Sequence, residues 1–168
     1  MLQKLPLKKV VAELRYKPDL GFYGKMDRIG LELGGEFPDW ERSALTVEVR
    51  NKKRHRRVFI SHSRCFYEAD APDPDTEFQF AADQLKKVCE GLSVDTLLRT
   101  GVRQWFAADL NKAFALMVDE IASRFLAHAD ELSAVLPDKT HDLAYSKIYE
   151  APEGWKYNLR MGPMVKKE

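Results

Sequence analysis

The segment Leu98-Arg99-Thr100-Gly101-Val102-Arg103-Gln104-Trp105-Phe106 restricts the fold most, because it reads as a strand that carries its own charges. At period two, Leu98, Thr100, Val102, Gln104 and Phe106 point one way, and Arg99, Gly101, Arg103 and Trp105 point the other. Arginine is seldom buried unless it is paired. Two arginines flanking a glycine on one sheet face therefore imply one of two arrangements. Either they close a salt-bridge ladder, or they form an anion-binding floor.

The rest of the chain supplies partners for such a strand. Val10-Val11-Ala12-Glu13-Leu14-Arg15-Tyr16 reads as a strand that stops at Pro18, and Asp19 is placed to cap a following helix. Phe22, Met26, Ile29 and Leu33 then fall on one helical face that ends at Gly34-Gly35. Three short strands are expected at Leu45–Val49, Val58–Ser61 and Cys65–Ala69. The Asp-Pro loop 71–75 leads into a helix carrying Phe78, Ala81, Leu85, Val88 and Leu92, with Asp75 as its expected cap. The charged strand follows. Asp109 then opens an amphipathic helix with Leu110, Phe114, Met117, Val118, Ile121, Phe125 and Leu132 on one stripe, ended by Pro137. Leu143–Tyr149 and Trp155–Arg160 form a hairpin about Ala151-Pro152-Glu153-Gly154.

The order β-α-β-β-β-α-β-α-β-β predicts an α+β fold, a mostly antiparallel sheet with helices packed on one face. No glycine-rich phosphate loop sits at a strand-to-helix junction. A length of 168 residues fits a single domain over 1–168. Apolar residues, 45% of the chain, are enough for a core, and the net charge of +1 gives no global attraction to polyanions. Nucleic-acid binding would have to come from local clustering. Cys65 and Cys89 match neither a zinc nor a redox spacing. With no signal peptide and no run of about 18 apolar residues, the expected place is the cytoplasm, with no membrane partner.

Two segments resemble a family of sporadically distributed bacterial proteins of uncharacterised function. Its members open with Pro-(Ile/Leu)-x-Glu-Val-Val-x-Glu-(Leu/Ile)-Arg-(Phe/Tyr). Pro6-Leu7-Lys8-Lys9-Val10-Val11-Ala12-Glu13-Leu14-Arg15-Tyr16 is similar, with Lys9 where the family prefers Glu. Members later carry Arg-x-Gly-(Leu/Val)-Arg-Tyr-x-Asn. Arg99-Thr100-Gly101-Val102-Arg103 is similar, with Gln104, Trp105 and Phe106 in place of the last three. The resemblance implies the order of elements over roughly 6–130 and supplies no activity. Members run longer at the C-terminus, so a short relative or a trimmed chain is expected.

Several groups are candidates for chemistry. Glu13 and Arg15 share one face of the first strand, as Arg99 and Arg103 share one face of the later one. Side by side, they form either a structural ladder or an anion site with surplus guanidinium. In the run 50–57, Arg50, Lys52, Lys53, Arg54, Arg56 and Arg57 make six of eight residues basic. That run is the strongest nucleic-acid signal, since clustered cations release counterions from phosphates. Its competing reading is a solvated hairpin whose charges discourage edge pairing.

The turn Ser61-His62-Ser63 and the histidines at 55, 128 and 141 lack a nucleophile elbow. The acidic stretch 68–75 lacks the glycine of a calcium loop and is better read as helix capping. Trp105, Tyr145, Trp155 and Tyr157 read as core, or as a stacking platform beside basic groups. No metal or cofactor is expected, and no catalytic constellation is visible. The leading expectation is a binding module for an anionic ligand, nucleic acid or nucleotide, with the basic hairpin as contact. The alternative is a protein-interaction or assembly module, as a homo-oligomer or with a protein partner. A hydrolase comes third.

Overall fold

A computed structural model describes residues 6–107, 111–125, 145–154 and 156–162. The fold is α+β in the expected order, with one strand more than the sequence pattern indicates. The chain forms two compact units, Met1–Ala108 and Asp109–Glu168, where a single domain is expected from its length.

The first unit is one sheet with two helices. Its strands are β1 (Leu7–Tyr16), β2 (Asp39–Arg42), β3 (Thr46–Asn51), β4 (Arg56–Ser61), β5 (Arg64–Asp70) and β6 (Leu97–Phe106). They lie in the order β2-β3-β4-β5-β1-β6, and every pairing is antiparallel. The additional strand is β2. Asp39-Trp40-Glu41-Arg42 has no apolar alternation, so period counting passes over it, yet its backbone pairs with Val47–Arg50.

Helices α1 (Phe22–Leu33) and α2 (Glu77–Leu92) cover one face. Alternation puts Val10 and Tyr16, Val47 and Val49, Val58 and Ile60, and Cys65, Tyr67 and Ala69 under them. Phe22, Met26, Ile29 and Leu33 of α1, and Ala81, Leu85, Val88 and Leu92 of α2, close that core as their spacing predicts. Gly91 lets the helices meet, because a Cβ there would lie 3.2 Å from Ile29 Cγ1. Lys25 Nζ and Arg28 Nη2 of α1 donate to the carbonyls of Leu92 (2.8 Å) and Gly91 (3.1 Å), filling acceptors left open at the end of α2.

Both expected caps are corrected. Gly21, not Asp19, is the N-cap of α1, and Asp19 Oδ1 instead accepts from the Gly21 N–H at 2.7 Å. Thr76, not Asp75, is the N-cap of α2. The acceptor work falls to Asp73, which takes the Asp75 N–H and the Thr76 hydroxyl, both at 3.1 Å. In each case the Asp forms its local turn just ahead of the helix, a bond that competes with capping proper.

Glu77, in the first turn of α2, is 2% exposed. Its carboxylate takes Arg56 Nη2 at 2.7 Å and the Tyr67 hydroxyl, while the Arg56 guanidinium lies 4.2 Å from the Phe80 ring centre. One buried carboxylate thus ties α2 to β4 and β5.

The second unit contains α3 (Phe114–Phe125) and the hairpin β7 (Tyr145–Glu150) and β8 (Lys156–Met161). The turn is closed by a Gly154 N–H to Ala151 carbonyl bond of 2.9 Å, with Gly154 at φ +81°, where only glycine is unstrained. The positions expected for Asp109, Leu110, Leu132, Pro137, Leu143 and Trp155 lie outside the described residues. No described helix is long and apolar enough to cross a membrane.

Replacing Glu77 by Ala strands Arg56 and Tyr67 in a site with no other described carboxylate bonded to them. The expected loss of stability is roughly 3–5 kcal/mol, read from urea denaturation. An effect within about 0.5 kcal/mol, the range of an ordinary surface change, would contradict the anchoring role.

Candidate anion-binding interface

The sheet face opposite the helices carries the charges. Alternation puts Lys9, Glu13 and Arg15 of β1 there, with Glu48 and Arg50 of β3, Arg57 and Phe59 of β4, Arg64, Phe66 and Glu68 of β5, and Arg99, Gly101, Arg103 and Trp105 of β6. These side chains sort into two regions with different charge balance.

The first region is a neutralised ladder. Arg50 meets Glu48 at 2.8 Å and Glu41 at 3.7 Å. Arg57 bridges Glu48 (3.3 Å) and Glu68 (3.0 Å), and Lys9 bridges Glu68 (2.9 Å) and Asp70 (3.4 Å). Five strands are laced by alternating signs. Burial pushes the Glu48 and Glu68 carboxyls up. The cations outweigh it, Arg50 and Arg57 at the first and Arg57 and Lys9 at the second, and hold both below the usual carboxylate range.

This lattice consumes the basic run. Lys52 lies 3.6 Å from Asp39, Arg54 lies 3.6 Å from Glu36, and Arg56 points to the helix face and its buried partner Glu77. Of the six basic residues between Arg50 and Arg57, Lys53 alone has no described ion pair. The tip is a tight 3-10 turn (Lys52–Arg54), with Asn51 Oδ1 accepting from the Arg54 N–H at 3.1 Å and His55 in the left-handed region at φ 51°. Sequence proximity displays the cations of such a turn and hides the carboxylates delivered by neighbouring strands.

The second region lies across β5, β1 and β6, and it is unbalanced. Arg15 is opposite Arg64 on one side and Arg99 on the other, so three arginines occupy one rung. At the usual strand spacing the rung spans about 10 Å. In the next rung Glu13 stands opposite Phe66 and Gly101. Glu13 takes Arg15 Nε at 2.6 Å and Arg103 Nη2 at 3.3 Å. The Arg15 bond holds the Glu13 carboxyl below its usual range against burial, helped by the charges of Arg103 and Arg64.

The expected meeting of Glu13 with the arginines of β6 therefore goes to Arg103. Arg99 faces Arg15 and, like Arg64, makes no described close ion pair with a carboxylate. Four guanidiniums share one carboxylate. A Cβ on Gly101 would meet nothing within 4 Å, so the space above the strand is open. Phe59 and Phe66 stand stacked beside this region, 5.0 Å between centroids, with Arg64 5.6 Å over Phe59. Trp105 lies under Arg103 at 5.8 Å.

Arg64, Phe59 and Phe66 escaped the sequence reading. Their signal was present: Arg64, Phe66 and Glu68 alternate with the buried Cys65, Tyr67 and Ala69, which marks them as outward on β5. The Ser61-His62-Ser63 turn is occupied structurally. Ser61 Oγ donates to the Arg64 carbonyl (3.1 Å), the Ser61 carbonyl accepts from Tyr16 (2.7 Å), and the His62 carbonyl accepts from the Asp19 N–H (2.9 Å). A surface hollow of about 440 Å³ beside the basic turn is lined by Pro38, Asp39, Trp40, Glu41, Arg50 and Lys52, a mixture of both signs. Among the described residues no three His, Cys, Asp or Glu side chains converge as a metal site. His128, His141, Trp155 and the side chains of Tyr145 and Tyr157 lie outside the description.

No protein-family model matches this chain, and no curated protein or solved structure matches it.

The depressed carboxyls set an acid limit. Their folded pKa values lie below the ordinary 4.5, so the ladder contributes fully above that pH and is lost as pH falls through the lower folded values. Denaturation midpoints should fall on acidification below about 4.5. Glu68→Gln should lower stability at pH 7 and flatten that fall. An acid limb as steep as that of the unaltered protein would show that Glu68 does not contribute.

Proposed function

We propose that the protein is a binding module for an anionic ligand, with single-stranded nucleic acid as the class that its open sheet face fits best. The observation that carries this reading is the rung Arg64–Arg15–Arg99 with Arg103 beside it, four guanidiniums against a single carboxylate, Glu13, among the described residues. Guanidinium is the side chain suited to phosphate, because its planar fork donates two hydrogen bonds at once.

Three features favour a single strand over a duplex. The face is a sheet rather than a protruding helix or ribbon that would enter a groove. The arginines follow one line across three strands, as a single backbone would. Phe59, Phe66 and Trp105 border that line and supply π surfaces on which unpaired bases stack without regard to sequence. The basic turn is the weaker contact, since carboxylates already hold five of its six cations.

Fluorescence anisotropy with short DNA and RNA oligonucleotides tests the reading. Binding through three guanidiniums predicts log Kd rising with log salt at a slope of about 2, from about 0.7 per phosphate contact. Arg99→Gln should weaken binding of all sequences and reduce that slope by about 0.7. Lys53→Gln at the hairpin tip should leave both unchanged. No salt-dependent binding at low ionic strength would overturn the proposal, and loss confined to Lys53→Gln would move the contact to the hairpin.

A further inference from the structure

The two edges of the six-stranded sheet are unlike. β2 is four residues long and three of them are charged, with Arg42 held 2.7 Å from Asp27 of α1. Short charged strands are how proteins keep an edge from pairing. β6 is ten residues long, contains no proline or lysine, and no described strand pairs with its outer side. Neither helix makes up for this. On the helix face of β6, Leu98 is 66% exposed, Val102 57% and Phe106 50%. Such an edge is a template for another strand.

We infer that the free edge of β6 pairs antiparallel with β6 of a second copy of this chain, about a twofold axis through Val102. The sequence of the strand selects both partner and register. A twofold axis perpendicular to the sheet keeps helix face against helix face, so even-numbered residues must oppose even-numbered ones. Centring on Val102 puts Val102 opposite itself, Thr100 opposite Gln104, Gly101 opposite Arg103 and Arg99 opposite Trp105, with Leu98 and Phe106 meeting at each end.

Every one of these pairs is favourable or neutral. Hydrogen-bonding side chains meet each other, apolar residues meet each other, and Arg99 lies against an indole as a cation on a π face. Arg103 enters the open space above Gly101. Centring on Gly101 instead sets Arg99 against Arg103 twice, and centring on Arg103 sets that residue against itself, both like-charge contacts. Centring on Thr100 shortens the overlap and leaves Gln104 to Phe106 unpaired.

The regular pairing of β6 with β1 runs without a bulge from Arg99 to Trp105, a stretch whose midpoint is Val102. The segment straight enough to accept a partner is therefore the segment that is complementary to itself. The result is a continuous sheet across two copies, with both helix layers on one side and both arginine rungs on the other. The inference does not depend on the ligand, and a protein that binds no oligonucleotide leaves it intact.

Two measurements test it on the full chain. Analytical ultracentrifugation over a concentration series should show a monomer–dimer equilibrium, and Val102→Lys, which changes an exposed position, should weaken it by about tenfold or more. Val102→Cys should form a covalent dimer under mild oxidation, because Cα atoms directly opposite in an antiparallel pair lie about 4.5–5.5 Å apart, within disulfide range. The unaltered protein, which already holds Cys65 and Cys89, sets the background, and Leu45→Cys, also at an exposed position, serves as the control. A monomeric mass throughout, with Val102→Cys crosslinking no more than Leu45→Cys, overturns the dimer. Stronger crosslinking through Gly101→Cys than through Val102→Cys overturns the register.

Discussion

Glu77 holds the architecture together at one point. The hydrophobic core is non-directional and would accept α2 at a range of positions along the sheet. A buried carboxylate that must meet Arg56 on β4 and Tyr67 on β5 accepts one position only, since any shift leaves a charge unpaired in an apolar surrounding. With α2 set, the carbonyls at its far end are placed for Lys25 and Arg28, and these set α1 in turn. The two helices then cover the sheet from β3 to β1 and stop. The exposure of β6 is thus a consequence of where α2 is held.

The opposite face obeys another constraint. A sheet face exposed to water can carry ions cheaply, and exposed ion pairs contribute little each. Their value here lies in order. Glu41, Arg50, Glu48, Arg57, Glu68 and Lys9 alternate in sign across five strands. Slipping a strand by one residue would send its charges into the core and its valines into water. The alternation ends at β5–β1–β6, where Arg64, Arg15 and Arg99 stand in line. Register maintenance explains the first region and not the second, which is why the arginine rung carries a functional reading and the ladder does not.

The sequence made the element types legible because its apolar residues recur at 2.0 and 3.6 with little interruption. It concealed β2, which pairs through its backbone and its charges with no apolar alternation. It also placed the helix starts one or two residues away from the observed ones, because Asp19 and Asp73 satisfy local turns ahead of the helices. For the site, the pairing of Glu13 with an arginine of β6 followed from two matched strand motifs. The role of the basic run did not. Its neutralisation by Glu36, Asp39, Glu48, Glu68 and Glu77 is delivered by separate elements, and no window along the chain contains them all. Arg64 joined Arg15 and Arg99 for the same reason: a rung is perpendicular to the sequence.

The position of β1 has a temporal meaning. Of the six strands in this sheet it comes first along the chain, and it lies between β5 and β6, so its bond from Arg103 to Glu13 closes a span of 90 residues. The strands from β2 to β5 are joined by short local connections and can associate early, whereas long-range closure is entropically slow. During synthesis, β1 therefore waits for most of the first unit to leave the ribosome before its second edge is satisfied. Until then one backbone edge of β1 is unpaired, and the nascent chain passes through an interval in which it presents a bare strand edge.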